Sequence, residues 1–233
     1  MPSLQELSLE TLRAHAIKTF RQGGGSRPDV LLIEVGRRRA VLKDYTQADP
    51  WFRRLVGPLS VRREARALTR LQGVDGVPRL IRVVGRDALL MEYIEGVNAK
   101  QLKPGSLSSD FFVKFYRLVD DVHRHGIAHC DLRSPGNILV DAAGQPHVVD
   151  LVAHFRRGKK WNPLTRWMYG KLCQADRVAV ARLKRRLAPE LLSHDEHAQL
   201  ARDRKTALER GARLIGKSIR RLSRLLLTKR RKS

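Results

Sequence analysis

The sequence predicts an α+β protein with a small β-rich N-terminal lobe and a larger helical C-terminal lobe. Its 233 residues are enough for two small lobes, and 42% hydrophobic residues are typical of a globular chain. Short β-rich runs broken by glycine fill the first 95 residues, whereas helical periodicity dominates beyond them. We therefore predict an N-terminal lobe at 1–95, a C-terminal lobe at 96–204 and a basic C-terminal helix at 205–233.

The N-terminal lobe begins with a short helix in MPSLQELSLETLRAH and continues as an antiparallel meander over residues 16–45. The meander has three runs, AIKTF, VLLIEV and AVLKDY, separated by the loop RQGGGSRPD and the turn GRRR. A helix is predicted from Ser60, placed as its N-cap, to Gly73, with an apolar face of Val61, Ala65, Leu68 and Leu71. The runs RLIRVV and DALLMEYI predict two more strands.

The C-terminal lobe combines a strongly periodic helix with a hairpin. Residues 109–125 are predicted to be helical because an apolar stripe recurs at Phe112, Phe115, Leu118 and Val122. Gly126 ends this helix. The runs NILVD at 137–141 and PHVVDLV at 146–152 flank the turn AAGQ and predict a β-hairpin in an otherwise helical half.

The composition indicates an anionic partner. Lys and Arg number 47 against 23 Asp and Glu, so the formal net charge is +24. Such a surface favours nucleic acid, an acidic membrane leaflet or a phosphate-bearing substrate. The two cysteines lack the paired spacing of disulfide, zinc or redox motifs, which indicates a reducing compartment. The N-terminus does not resemble a secretory signal and no run is long enough to span a membrane, so we expect a cytoplasmic or peripheral protein.

The C-terminal segment carries much of this charge. Residues 202–233 contain 13 Lys or Arg and 2 acidic residues. An apolar seam in this segment predicts a basic amphipathic helix and consists of Leu208, Ala212, Ile215, Ile219, Leu222 and Leu226. The helix is expected either to bind an anionic membrane surface at the inner face of the cytoplasmic membrane or to dock on its own C-terminal lobe. RNA is a less favoured partner because the segment has no aromatic residue to stack bases.

The run HCDLRSPGNILVD, followed by VVDLV, carries the chemistry. Phosphoryl transfer needs a carboxylate for the acceptor hydroxyl, an amide and a second carboxylate for magnesium, and a cation to offset charge on the moving group. Asp131, Asn137, Asp150 and Arg133 supply these groups in that order. The predicted hairpin would carry Asn137 and Asp150 side by side at one end of its two strands.

Two charged residues upstream complete the set. Lys43 ends the strand run AVLK, and Glu64 is the one acidic residue of the following helix. Their pairing would fix the lysine against the α and β phosphates of a nucleotide. We therefore predict four catalytic residues, Asp131, Arg133, Lys43 and Glu64, and two metal ligands, Asn137 and Asp150.

These motifs together resemble a protein-kinase-like fold over roughly residues 16–200, of the kind found in small atypical bacterial kinases. The resemblance rests on AVLK, Glu64, the hinge-like MEYIEG, HCDL and VVD. It implies ATP and Mg²⁺ as cofactors, with Met91 beside the adenine and backbone groups of Glu92 and Ile94 at its edge. It also implies that Asp176, at the start of a helix, holds the catalytic loop from beneath.

The sequence departs from the kinase pattern at several points. One extra residue separates Asp131 from Asn137. Gly23, Gly24 and Gly25 lie where a phosphate loop is expected, but without the G-x-G-x-x-G spacing, so their binding to the nucleotide phosphates rests on position alone. Asp-Leu-Val replaces Asp-Phe-Gly and no Ala-Pro-Glu follows, which predicts a fold with no activation segment.

The acceptor is predicted from resemblance. The compact C-terminal lobe is similar to the lipopolysaccharide core kinases and to RIO-like kinases. Our preferred acceptor is an inner-core sugar, Kdo or heptose, of a lipid-linked saccharide at the inner membrane face. A RIO-like serine/threonine kinase is the first alternative, and a non-catalytic basic adaptor on membrane or RNA is the second. Residues 156–171, with Trp161 and Trp167 among six basic residues, lie where an acceptor would enter.

Overall fold

We analysed a computed structural model of the chain, which describes residues 4–203. The basic helix predicted at 205–233 lies outside the described residues. The described chain packs as two compact units, one formed by residues 4–61 and 82–90 and the other by residues 62–81 and 91–201. The lobe boundaries predicted from the sequence stay predictions.

The first unit is built around a β-sheet. The helix α1 (Leu9–Ala14) precedes the strands β1 (Ala16–Arg21), β2 (Asp29–Val35) and β3 (Arg38–Asp44), all as predicted. With β4 (Leu80–Val84) and β5 (Ala88–Glu92), these strands form a sheet in the order β1-β2-β3-β5-β4. β2 and β3 pair antiparallel, with Leu31 opposite Leu42. Both leucines are buried and belong to the core of this unit.

Two helices after β3 differ from the prediction. The helix α2 (Pro50–Leu55) was not predicted, although the Asp-Pro pair before it places proline at the first helical position. The helix α3 (Gly57–Arg70) begins three residues before the predicted N-cap. Ser60 lies inside the helix, because its N–H donates to the Val56 carbonyl at 2.9 Å. The predicted cap was therefore wrong, and the apolar face of Val61, Ala65 and Leu68 is buried as expected.

The second unit is mostly helical. The helix α4 (Ser109–Arg124) is capped by Ser108, whose hydroxyl accepts from the Phe111 N–H, and its predicted apolar stripe is buried. The short strand β6 (Val97–Asn98) precedes α4. Four more short strands follow the helix: β7 (Ile127–Ala128), β8 (Ile138–Val140), β9 (Pro146–Val148) and β10 (Phe155–Arg156). The predicted hairpin is confirmed, since β8 and β9 pair antiparallel with Ile138 opposite Val148. β6 completes a three-stranded sheet, and β7 pairs with β10.

Two further helices close this unit. The helix α5 (Pro163–Leu187) is capped by the Asn162 side chain, which accepts from the Thr165 N–H at 3.1 Å. Asp176 therefore lies in the middle of a helix, and the prediction that it begins one was wrong. The helix α6 (His194–Asp203) is bound to α5 through Glu196, whose carboxylate lies 2.9 Å from the Lys184 ammonium. No helix of the described chain has both the length and the apolar character needed to cross a membrane.

Candidate active site

The loop between β7 and β8 brings Asp131 and Asn137 into contact. The Asn137 amide nitrogen donates to the Asp131 carboxylate at 2.9 Å and to the Asp131 carbonyl at 3.0 Å. This loop is one residue longer than the kinase pattern and closes through a 3₁₀ turn at Pro135–Asn137. Asn98 supports the turn by donating to the Gly136 carbonyl at 2.7 Å. The longer loop therefore still places Asn137 against Asp131.

Asp150 follows β9 and lies beside this loop. The Val149 N–H donates to the Asn137 carbonyl at 2.9 Å, so the residue that follows Val149 is held next to Asn137. Asp150 has φ +66°, in the left-handed region that a residue other than glycine rarely adopts. Such strained backbone costs about 1–3 kcal/mol and is concentrated at functional sites. The two predicted metal ligands are thus brought together.

The residues at this position fit a magnesium ion. Because the Asn137 nitrogen donates to Asp131, the amide oxygen is directed elsewhere, and it accepts no hydrogen bond from the described residues. That oxygen and the half-buried Asp150 carboxylate are hard oxygen ligands of the type that Mg²⁺ prefers. No group of three or more His, Cys, Asp or Glu able to hold a metal occurs in the described part of the chain. Mg²⁺ needs no such cage, because it is bound by one or two protein ligands together with nucleotide phosphates.

His129 joins the loop to the strand that precedes Asp150. Its side chain is buried, with Nε2 lying 3.0 Å from the Val149 carbonyl oxygen and Nδ1 lying 3.4 Å from the Asp131 N–H nitrogen. A carbonyl can only accept and a backbone N–H can only donate, so these contacts fit the tautomer in which Nε2 donates and Nδ1 accepts. His129 therefore holds the loop against the segment that precedes Asp150 through both of its ring nitrogens.

Asp176 holds the same loop from α5. Its carboxylate accepts from the His129 N–H at 2.7 Å and from the Cys130 N–H at 2.9 Å. Cys130 has φ +67°, so these two bonds stabilise a strained residue. The predicted role of Asp176 is confirmed by these contacts, although its position within the helix was not foreseen.

His123 is a third partner of Asp176, and the sequence analysis missed it. Its Nε2 lies 3.1 Å from Asp176 Oδ2, and its side chain is 11% exposed. Burial alone would lower the pKa of His123, but hydrogen bonds to Asp176 and then to Cys173 raise that pKa to about 9. His123 is therefore protonated at neutral pH. Its position four residues after the buried Val119 on α4 was the available signal.

Glu64 contacts the segment just after Asp150. It is buried on α3, and its Oε1 accepts from the Leu151 N–H at 3.3 Å. The neighbouring Arg63 donates to the Val152 and His154 carbonyls at 3.4 and 2.6 Å. These bonds, which the sequence analysis did not predict, connect α3 to the segment that follows Asp150. Lys43 is buried on β3, 5% exposed, and its pairing with Glu64 stays a prediction.

The residues predicted to bind adenine lie at the end of β5. Met91 is buried, 3% exposed. The Glu92 N–H donates to the Arg79 carbonyl at 2.9 Å, and the Glu92 carboxylate pairs with the Arg79 guanidinium at 3.1 Å. Ile94 follows the strand in extended chain. Adenine contacts through backbone groups of Glu92 and Ile94 stay a prediction.

The glycine segment makes internal hydrogen bonds. The Gly23 N–H donates to the Asp29 carboxylate at 2.6 Å, and the Gly24 N–H donates to the Arg27 carbonyl at 3.1 Å. Gly25 has φ +60° and its carbonyl accepts from the Asp49 N–H at 2.9 Å. Binding of phosphate by Gly23 or Gly24 would require these N–H groups to exchange partners.

Comparison with known proteins decides the family. The family model described as the RIO domain matches residues 34–157, more than half of the chain. The chain belongs to the RIO domain family. The matched range of this RIO domain contains Lys43, Glu64, Asp131, Asn137 and Asp150. Of the two families predicted by resemblance, the match therefore supports the RIO-like kinases.

Solved structures share the fold of this RIO domain. One is the Rio2 kinase-ADP/Mg²⁺-phosphoaspartate complex from Chaetomium thermophilum, with TM-score 0.59 and 17% identity over 80% of this chain and 61% of that one. Another structure of the Rio2 kinase from the same organism has TM-score 0.58 and 16% identity, covering 97% of this chain and 77% of that one. These similarities show a protein-kinase-like α+β fold, as predicted.

Curated relatives match this chain over a small part of their own length. The serine/threonine-protein kinase greatwall of Bos taurus is 26% identical over 155 residues, and that of Homo sapiens is 26% identical over the same length. The match covers 64% of this chain but 16% of each greatwall protein. The similarity is therefore confined to a small part of the greatwall chain.

Proposed function

We propose that this RIO domain is an ATP- and Mg²⁺-dependent phosphotransferase that acts on protein. The observation that carries the proposal is the joining of Asp131, Asn137 and Asp150 by one loop and one hairpin, with 2.9 Å between the Asn137 nitrogen and the Asp131 carboxylate. The RIO match and the similarity to serine/threonine kinases support a protein acceptor. ATP bound with Mg²⁺ would supply the phosphoryl group.

Each residue has a defined part in this proposal. Asp131 would orient the acceptor hydroxyl and take its proton, because it is a half-buried carboxylate held in the loop by the Asn137 amide. Asn137 and Asp150 would hold Mg²⁺ through oxygen atoms. Arg133 offsets negative charge on the transferred group, and Lys43 binds the phosphates of the nucleotide.

The acceptor is also proposed to include the protein's own aspartate. The related Rio2 kinase was solved as a phosphoaspartate complex, and Asp131 and Asp150 are the two half-buried aspartates of this site. An acyl phosphate is cleaved by hydroxylamine, whereas a phosphoserine or phosphothreonine is not. Hydroxylamine treatment of the labelled protein therefore separates self-phosphorylation on aspartate from transfer to a hydroxyl.

A lipopolysaccharide inner-core sugar is a second candidate acceptor, favoured by one surface feature. Trp161, Leu164 and Trp167 are 75%, 64% and 49% exposed at the start of α5, beside Lys159 and Lys160. Exposed tryptophan with basic residues suits a phosphorylated saccharide or a lipid headgroup. In this second proposal, the segment at 205–233 would bring the protein to an anionic membrane.

The experiment measures transfer from γ-labelled ATP with Mg²⁺ to a soluble protein extract, to a lipopolysaccharide extract and to the RIO domain itself. Asp131→Asn and Asp150→Asn are expected to lower transfer by at least about 100-fold. Asp110→Asn is the matched control, because Asp110 is an exposed residue at the start of α4.

Each outcome supports one of the proposed functions. Label in protein supports the main proposal, and label in saccharide alone supports the second. Equal labelling by the wild type, Asp131→Asn and Asp150→Asn, or the absence of label from all three acceptors, would refute phosphotransfer by this site. Absence of label together with binding to vesicles or RNA would favour the non-catalytic adaptor.

A further inference from the structure

A basic groove lies between α4 and α5, both of which belong to the second compact unit. Its volume is about 560 Å³, which suits a ligand of nucleotide size. Four guanidinium groups and one carboxylate line it, together with a thiol: Arg117, Arg124, Arg157, Arg177, Asp120 and Cys173. None of these residues belongs to the proposed catalytic set.

The positive charge of the groove is only partly neutralised. Arg177 pairs with Asp120 at 2.6 Å, and Arg124 pairs with Asp121 on its own helix. Arg117 and Arg157 are exposed, and neither has a carboxylate partner among residues 4–203. Two guanidinium groups are thus available to an anion from solution.

Tyr169 and His123 contact each other in the lining of the groove. The Tyr169 hydroxyl donates to the His123 carbonyl, which ties α5 to α4 beneath the arginines. Tyr169 is 8% exposed, so it does not present a ring for stacking a base. The groove is therefore suited to the charge of a ligand and not to a base.

We propose that this groove binds a multivalent phosphate anion, with Arg117 and Arg157 as its primary ligands. A guanidinium group binds two phosphate oxygens at once, and two such groups lining one groove favour an anion with more than one phosphate. The phosphate chain of a nucleotide and an inorganic polyphosphate share this chemistry. The site does not depend on the proposed phosphotransfer.

Cys173 supplies a local test of occupancy. It lines the groove and is half-buried, so an anion held above it slows alkylation of its thiol by iodoacetamide. Cys130 lies outside the groove lining, and burial raises the pKa of its thiol, so its alkylation would report unfolding and not occupancy of the groove. A local readout is needed because the 13 Lys and Arg of residues 202–233 also attract phosphate. Alkylation of each cysteine is followed by peptide mass spectrometry in the full-length chain with EDTA present.

Tripolyphosphate is the first probe and ADP is the second. We expect tripolyphosphate to slow alkylation of Cys173 at least about fivefold, and the Arg117→Ala/Arg157→Ala variant to need about tenfold more of it for the same effect. Arg185→Ala is the matched control, because Arg185 is exposed on α5 and lies outside the groove. Lysine at both positions keeps the charge without the planar fork, so this second variant is expected to retain part of the protection.

Three results would overturn the proposal. The first is no protection of Cys173 by either probe. The second is equal protection in the wild type and in both double variants. The third is equal protection by sodium chloride at the same ionic strength, which would indicate charge screening alone. Protection by tripolyphosphate, by ADP or by both supports the site and identifies the source of the phosphate.

Discussion

Replacement of Asp176 with asparagine tests how the catalytic loop is held. The wild-type carboxylate is 2% exposed and accepts from the N–H groups of His129 and Cys130 at 2.7 and 2.9 Å. Asparagine keeps one acceptor oxygen but turns an NH₂ group toward one of these donors. A buried donor that loses a charged acceptor costs about 1.5–3 kcal/mol, so we expect a loss of about 2–4 kcal/mol in the free energy of unfolding.

The same substitution changes the pH dependence of stability through His123. The raised pKa of about 9 means that the protonated ring stabilises the folded state. This contribution is complete below about pH 6.5, the unfolded value, and is lost as the pH rises through about 9. Allowing for solvent near the groove, we expect about 2 kcal/mol to be lost across this window in the wild type. Asp176→Asn should lose much less over the same range.

The assay is urea unfolding of the wild type and of Asp176→Asn at pH 6.5, 7.5 and 9, with midpoints compared at equal slope. Asp110→Asn removes the same charge from an exposed site and should change the midpoint by less than about 0.5 kcal/mol. Equal stability of Asp176→Asn and the wild type at pH 6.5 would refute the proposed role of Asp176 in holding the His129 and Cys130 N–H groups. An unchanged pH dependence in Asp176→Asn would refute the coupling to His123.

The remaining predictions concern packing and acid stability. Gly76→Ala is expected to cost about 2–5 kcal/mol, because φ is +88° and a new Cβ would lie 2.8 Å from a leucine methyl and from a backbone carbonyl; Gly73→Ala, with the same φ and nothing within 4 Å, should cost about 1–2 kcal/mol. Similar unfolding midpoints for the two glycine variants would contradict this difference. Burial alone would raise the pKa of Glu196, but the hydrogen bonds it accepts lower that pKa, so its stabilising effect is present above about pH 4.5 and is lost as the pH falls further. Glu196→Gln should therefore flatten stability between pH 5 and 3, whereas the exposed Glu190→Gln should not. Tyr116→Phe removes a 2.7 Å hydrogen bond to Glu196 and should lower the free energy of unfolding by about 1 kcal/mol, measured by thermal unfolding. An unchanged melting temperature would show that this bond does not stabilise the fold.

Helix boundaries show where local sequence signals fell short. The N-cap prediction at Ser60 failed because the chain was already helical from Gly57, supported by a bond from the Ser60 N–H to Val56. A serine inside a helix and a serine at its start look alike in sequence, and only the path of the preceding backbone distinguishes them. The start of α5 was missed although the Asn162-Pro163 pair is a strong signal for a helix start. The lysine and glycine residues just before this pair obscured the signal.

The sequence by itself determined the strands β1 to β5, the helix α4 and the β8–β9 hairpin. These elements rest on periodicity and turn residues within a few positions of one another, which is information that the local chain carries. The hairpin also placed Asn137 and Asp150 at one end of two paired strands, so the proximity of the predicted metal ligands was foreseeable. The order of the charged residues predicted phosphoryl transfer chemistry before any contact was known.

Only the tertiary structure decided how that site is held in place. Asp176 reaches the N–H groups of His129 and Cys130 across 47 and 46 residues, and His123 meets the same carboxylate across 53. No local pattern marks such partners, because a buried carboxylate satisfies whichever donors the packing of α4 and α5 brings to it. The basic groove arises in the same way, since its arginines come from two helices and a connecting segment that meet only in the folded unit. Periodicity acts over one or two turns, whereas desolvation and charge pairing act between whichever groups the fold places within a few ångströms.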